Sequence, residues 1–181
     1  AFEIVEGETV LSFIRRFKEK NLVPTLCDAP NLKPFGSCRV CSVEVALIQD
    51  GPAKVQASCH TPVIPDSFIY THSDRINRLR KNIVEMVLTD YPVEKFTNNS
   101  PKHNELKKVA NQVGIGIEDV RYTQGKTHLD READEGHTYM RAYMDTCINC
   151  YRCIRACDEV QGEMVLTMEG RGFDNTVTMS V

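Results

Sequence analysis

The sequence predicts an α+β protein in three parts, and three observations carry the prediction. The first third alternates short apolar runs with Gly- and Pro-containing turns, the pattern of a small sheet. Between residues 74 and 113, apolar residues recur at helical spacing. The eight cysteines fall in two groups of four, Cys27, Cys38, Cys41 and Cys59 early and Cys147, Cys150, Cys153 and Cys157 late, with 87 thiol-free residues between them. The expected divisions are residues 1–72, 73–138 and 139–181.

Composition narrows the function classes. Of 181 residues, 41% are hydrophobic and 26% charged, as in an ordinary globular chain. The net charge is −3 with no long single-sign block, which argues against nucleic acid and against a polybasic membrane anchor. No apolar run approaches the length of a membrane span, so direct membrane insertion is not expected. The first residues carry no charged-then-apolar leader, so a cytoplasmic location is the expectation. In that reducing compartment disulfides are rare, and four thiols packed into residues 147–157 make poor partners for independent bridges.

Each element follows from its local signals. Residues 2–5 read as a strand that stops at Gly7. Glu8 or Thr9 then starts a helix to about Lys20, with Val10, Ile14 and Phe17 as its core stripe. Residues 25–38 read as loop. Strands are expected from Val40 to Ile48, from Val55 to Ser58, at Val63-Ile64 and at Phe68-Ile69-Tyr70, with a turn at Asp50-Gly51-Pro52. Ser73 or Asp74 caps a helix over 74–88 that buries Ile76, Leu79, Ile83, Met86 and Val87. Residues 90–104 read as polar loop. Asn104 opens a helix to about Val113, stopped by Gly114, and residues 122–138 read as linker. Short strands are expected at 164–167 and 176–179.

The first group is spaced Cys-x10-Cys-x2-Cys-x17-Cys. Soft thiolates select iron–sulfur clusters or zinc, and thiolates alone do not separate the two. Plant-type 2Fe–2S ferredoxins use a similar layout with a shorter first gap. The strand–helix start, the long loop with Gly36-Ser37 ahead of Cys38 and the strand after Cys41 suit a β-grasp ferredoxin. Backbone N–H groups at Gly36 and Ser37 could approach the sulfurs and tune a cluster's potential. His60 lacks the spacing of a Rieske ligand and reads as a surface residue.

The second group, Cys147-x2-Cys150-x2-Cys153-x3-Cys157, has the spacing of a bacterial 4Fe–4S run, in which the fourth cysteine of a two-cluster ferredoxin serves the other cluster. Asp158 stands where such runs usually carry Pro, and no complementary run follows by Val181. Either the polypeptide continues, or a partner donates ligands, or all four cysteines serve one cluster; continuation is the expectation. Arg152 and Arg155 lie within this run and either raise a cluster's potential or are merely solvated. Tyr151 reads as packing. Gly114-Ile115-Gly116 lacks the third glycine and the preceding strand of a dinucleotide fingerprint.

Three stretches carry a family resemblance: Pro24-Thr25-Leu26-Cys27, then Gly36-Ser37-Cys38-Arg39-Val40-Cys41, and Ala57-Ser58-Cys59-His60-Thr61-Pro62. They resemble the ferredoxin domain that opens the large subunit of NAD-dependent formate dehydrogenases. The same domain occurs in the iron–sulfur subunit of NADH:quinone oxidoreductase and the small diaphorase subunit of NAD-reducing hydrogenases. The resemblance implies that Cys27, Cys38, Cys41 and Cys59 bind a 2Fe–2S cluster. The run from Cys147 to Gly162, with Leu166 and Gly170-Arg171-Gly172-Phe173-Asp174, is most similar to the formate dehydrogenase subunit. There a second four-cysteine run follows, and then a molybdenum or tungsten pterin domain.

That family usually carries a further His-x3-Cys-x2-Cys-x5-Cys site after the second helix. Held in register by Leu88-Thr89-Asp90-Tyr91-Pro92 and Asn104-Glu105-Leu106, its ligand positions are here Tyr91, Lys95, Asn98 and Asn104. None is a thiolate or imidazole, so no cluster with one histidine and three cysteine ligands is expected, and His103 nearby stands alone.

Together these readings imply a β-grasp 2Fe–2S domain, a helical linker region and a partial bacterial-ferredoxin-like 4Fe–4S domain. The expected function is an electron-transfer module of a multi-subunit oxidoreductase, of formate dehydrogenase type first and of diaphorase or quinone-reductase type second. One 2Fe–2S and one or two 4Fe–4S clusters would lie in this chain. Mo/W-pterin, FMN and NAD would lie elsewhere in the complex, on partner subunits or domains, and no catalytic residue is expected here. A zinc-stabilised interaction module is the alternative of another class.

Overall fold

The computed structural model describes residues 3–18, 21–98, 104–122, 131, 133–136, 138–139 and 141–179. It divides into two compact units, Ala1–Asp28 with Pro34–Ile83, and Ala29–Lys33 with Val84–Val181.

The first unit begins with helix α1, Val10–Phe17, opened by Thr9, whose Oγ1 accepts from the Ser12 N–H at 3.2 Å. Strands β1 (Ser42–Ala46), β2 (Ala53–Ala57) and β3 (Phe68–Tyr70) form an antiparallel sheet ordered β2–β1–β3. Ser42 pairs with Ala57, and Glu44 with Val55 on one side and Tyr70 on the other. As the central strand, β1 is buried at four of its five positions, Ser42 included, although its sequence alternates polar and apolar residues. The core joins Val10, Leu11 and Ile14 of α1 to Val23, Val43, Val45 and Ala57, with Cys41 and Cys59 inside it.

Helix α2, Asp74–Leu88, starts where Ser73 Oγ accepts from the Ile76 N–H at 3.1 Å. Its buried line is Ile76, Arg80, Val84 and Leu88, with Glu85 beside it, so the expected face is rotated: Met86 is exposed. Two charged residues sit inward because they have partners there. Arg80 Nη2 donates to the Ser42 carbonyl at 2.6 Å, and Glu85 accepts from Arg121 Nη2 at 2.7 Å.

In the second unit, α3 (Val93–Asn98) stands where the sequence reads as loop, holding Phe96 in the interior. Helix α4, Glu105–Val113, has Asn104 as its N-cap and Gly114 as its left-handed C-cap, φ 71°, as expected. Strand β4 (Ala133–Asp134) pairs with β5 (Ala142–Tyr143). A short 3-10 turn, Met144–Thr146, leads into the second cysteine run, and α5 covers Arg152–Glu159. Strands β6 (Leu166–Glu169) and β7 (Thr176–Met179) form the closing hairpin. Gly170 is required there: its φ is +84°, and a Cβ would sit 2.3 Å from the Asp174 carbonyl oxygen.

Two expected strands are not found. Residues 3–5 are not a strand, because Val5 is exposed and the chain turns at once through Gly7, φ 76°; Phe2 lies outside the described residues. Val63-Ile64 is replaced by a single bridge between Thr9 and Pro62. Of the expected linker, residues 123–130, 132 and 137 lie outside the described residues.

Candidate metal centres

The first unit brings its four cysteines together. Cys27 comes from the loop after α1, Cys38 and Cys41 flank the turn into β1, and Cys59 follows β2. The turn depends on Arg39 in the left-handed region, φ 61°, which folds Cys38-x2-Cys41 back on itself. Ser58 Oγ–H donates to the Cys41 carbonyl at 2.7 Å and ties the second and third stretches together. Cys27, Cys41 and Cys59 are buried and Cys38 is partly so.

Their thiols are linked by hydrogen bonds. Those from Cys38 and Cys59 hold Cys27 far below the ordinary thiol range against the effect of burial. The bond from Cys59 lowers Cys41 to about 6, again against burial. Cys38 is pushed up by its bond to Cys27 and by burial, and Cys59 by its bonds to Cys27 and Cys41. Backbone N–H groups of Cys38 and Cys59 also reach the Cys27 and Cys41 sulfurs. The backbone donors to Cys27 and Cys41 are of the kind that favours ligated thiolates in a cluster.

Behind it lies Arg80, which sequence reasoning missed. It is 3% exposed, its Nε has no hydrogen-bond partner among the described residues, and burial lowers its pKa to about 10 while the Cys41 charge acts the other way. Its signal was the i, i+4 line Ile76, Arg80, Val84, Leu88. His60 is exposed and packs over Gly36.

In the second unit Cys147, Cys150 and Cys153 interact electrostatically with one another, and burial raises the Cys147 and Cys153 thiols. The loop is wound by two left-handed residues, Asn149 at φ 51° and Tyr151 at φ 62°, on either side of Cys150. Cys153 and Cys157 both lie on α5, four residues apart, so one helix turn presents them on the same face. The N–H groups of Asn149 and Ile154 point at the Cys147 and Cys153 sulfurs. Arg152 Nε lies 3.4 Å from Cys150 Sγ. Arg155 is instead buried and donates to Glu159 and to the Lys33 carbonyl.

The four positions that the sequence sets against a histidine–cysteine ligand set hold other chemistry. Tyr91 is buried, accepts from Asn104 Nδ2 at 3.1 Å and meets Phe96 edge-on at 6.2 Å. Lys95 forms an ion pair with Asp145 at 2.6 Å. Asn98 and Lys95 line a cavity of about 420 Å³ with Glu94, Tyr143 and Thr146.

All eight cysteines are free thiols. Among the described residues no three His, Cys, Asp or Glu side chains converge on one ion-sized point. Residues 1–74 match the model of a 2Fe–2S iron–sulfur cluster binding domain, and residues 138–181 that of the ferredoxin-like domain of NADH-quinone oxidoreductase subunit 3. The chain carries iron–sulfur domains, and iron–sulfur clusters are its cofactors. These domains are related to those of NADH-quinone oxidoreductase and NAD-reducing hydrogenase subunits. NADH-quinone oxidoreductase subunit 3 of Thermus thermophilus is 27% identical over 94% of this chain and 25% of its own length. The NADP-reducing hydrogenase subunit HndD of Solidesulfovibrio fructosivorans is 32% identical over 96% of this chain and 29% of its own. The chain thus spans less than a third of the length of these relatives. A chain of an NAD+-reducing NiFe hydrogenase crystal structure shares the fold, with a TM-score of 0.74 at 24% identity over 98% of this chain and 70% of that one. Among the described residues no helix is long and apolar enough to cross a membrane.

Proposed function

We propose that this chain is an electron relay within a larger cytoplasmic oxidoreductase complex. Cys27, Cys38, Cys41 and Cys59 hold a 2Fe–2S cluster. Cys147, Cys150 and Cys153 hold a 4Fe–4S cluster, and Cys157 serves a second one, as in two-cluster ferredoxin runs. The divisions at 1–72, 73–138 and 139–181 then correspond to one cluster domain, a helical region without a cluster at Tyr91, Lys95, Asn98 and Asn104, and a second cluster domain.

The observation that carries this reading is the first pocket: four thiols from three stretches of chain, mostly buried, joined by hydrogen bonds and met by backbone donors. The clusters supply one-electron chemistry when bound. The protein's own residues hold the sulfurs, exclude water with Val10, Leu11, Val43 and Val45, and set the potential through N–H groups and arginines. No acid, base or nucleophile is assigned a catalytic role.

The relatives support a complex of NADH-quinone oxidoreductase or hydrogenase type. The stretch 158–174 supports the formate dehydrogenase type, in which the relay would join a Mo/W-pterin site to a flavin and NAD or ferredoxin partner. Exposed Leu47, Ile48 and Ile64 around a cavity of about 390 Å³ suit contact with another subunit.

Iron and acid-labile sulfide counts on anaerobically purified protein, with EPR after dithionite, test the proposal. The expected result is brown protein that bleaches on reduction and gives both 2Fe–2S and 4Fe–4S signals. Colourless, zinc-loaded protein would overturn it in favour of a structural metal module. Formate, NADH or hydrogen as reductant for the intact complex separates the three complex types.

A further inference from the structure

We propose that Arg152, held in place by Glu105, raises the reduction potential of the 4Fe–4S cluster at the second cysteine site through an N–H···S bond to Cys150. The inference rests on reading Cys150 as a cluster ligand.

Arg152 is the first residue of α5, directly after Tyr151 with φ 62°. That left-handed residue turns the chain so that the Arg152 side chain lies back along the loop, where its Nε is 3.4 Å from Cys150 Sγ. Its Nη2 forms an ion pair with Glu105, the first residue of α4. The guanidinium fork makes both contacts possible at once, one N–H to sulfur and another to the carboxylate; an ammonium has no such fixed fork. Burial acts to lower the Arg152 pKa, but the bonds to Glu105 and Cys150 outweigh it and the net shift is upward.

The effect on potential has one sign. Reduction adds negative charge, which spreads onto the ligand sulfurs, so a donor aimed at a sulfur favours the reduced state over the oxidised one. Arg155, three residues on, has the same charge but is directed to Glu159 and the Lys33 carbonyl. The two arginines, alike in the sequence, thus differ in role.

The test is an EPR-monitored redox titration of the purified holoprotein. Arg152→Met is expected to lower the midpoint so that the oxidised-to-reduced ratio at the wild-type midpoint rises about tenfold, or 59 mV for a one-electron couple. Arg152→Lys recovers part of this, because charge returns without the fork. Arg75→Gln, which removes the same charge from an exposed pair with Glu44, leaves the 4Fe–4S midpoint unchanged. Glu105→Ala shifts the midpoint more negatively when Arg152 is present than in the Arg152→Met background, since only then is there a guanidinium to release. An unshifted midpoint in Arg152→Met with an intact 4Fe–4S signal overturns the proposal and leaves the relay reading standing. If Arg152→Met loses the cluster, Arg152→Lys decides: a midpoint equal to wild type overturns the proposal, a lowered one supports it. A wild-type protein without a 4Fe–4S signal overturns the relay reading itself.

Discussion

Arg80 is a cation in an apolar interior, 3% exposed, hydrogen-bonded to the Ser42 carbonyl and with a cysteine sulfur as its anionic neighbour. A buried charge is costly unless compensated; replacing a whole buried pair by apolar residues is often neutral, whereas removing one partner leaves the other uncompensated. Here the partners are the Ser42 carbonyl and the Cys41 sulfur, whose thiol is held low by Cys59 even without metal. Arg80→Met is therefore expected to destabilise the cluster-free protein by about 3 kcal/mol and to speed loss of the 2Fe–2S cluster several-fold. Urea unfolding of the apoprotein and the rate of visible bleaching in air measure the two effects. Equal bleaching rates would mean that Arg80 is structural only. The cysteines were legible because ligand spacing is a local property of the chain; Arg80 was not, because its role appears only once α2 packs beneath Cys41.

At the scale of elements, legibility followed the same division. Helix α4 was readable from Asn104 and Gly114 because caps are set by the residues themselves. Helix α3 was not, since Val93–Asn98 buries only Phe96 and so carries no stripe. Helix α5 shows an element fixed by distant backbone. Glu159 accepts from the Lys33 N–H at 2.7 Å, while Arg155 bonds both Glu159 and the Lys33 carbonyl, so one turn of α5 clamps both polar groups of residue 33. The Lys33 N–H first, and Arg155 as well, hold the Glu159 carboxyl below its ordinary range against desolvation. A depressed carboxylate contributes to the fold above its unfolded pKa, about 4.3, and that contribution fades as pH falls through the lower folded value. Lys33 amide exchange, corrected for intrinsic rate, is thus expected to stay protected from neutrality to about pH 4.3 and to lose protection below it. Glu159→Ala reproduces the loss at pH 7, as several-fold faster exchange in a peptide covering Ala29–Lys33. Unchanged exchange in that variant would remove the clamp from the account.

At the scale of the whole molecule, the proposed reading makes residues 91–104 the frame of a cluster site without its ligands. Tyr91 and Asn104 meet directly, and Lys95 reaches Asp145 beside the second cysteine run. This network is weak compared with a metal centre: a hydrogen bond and an N-cap contribute about 1 kcal/mol each, and a partly exposed ion pair no more than that. Thiolate–metal binding is worth roughly 10 kcal/mol or more in structural zinc sites, so metal loading, rather than folding, should decide what occupies the frame. Combining Tyr91→His, Lys95→Cys, Asn98→Cys and Asn104→Cys is therefore expected to give an apoprotein destabilised by about 2–3 kcal/mol that regains stability on anaerobic reconstitution with iron and sulfide. The reconstituted variant should hold a further 4Fe–4S equivalent and give an extra EPR signal on reduction, while Tyr91→His alone gains neither. If the quadruple variant folds but takes up no more iron than wild type, the frame around Tyr91 and Asn104 is not that of a cluster site, and the resemblance in this stretch reflects helix packing alone.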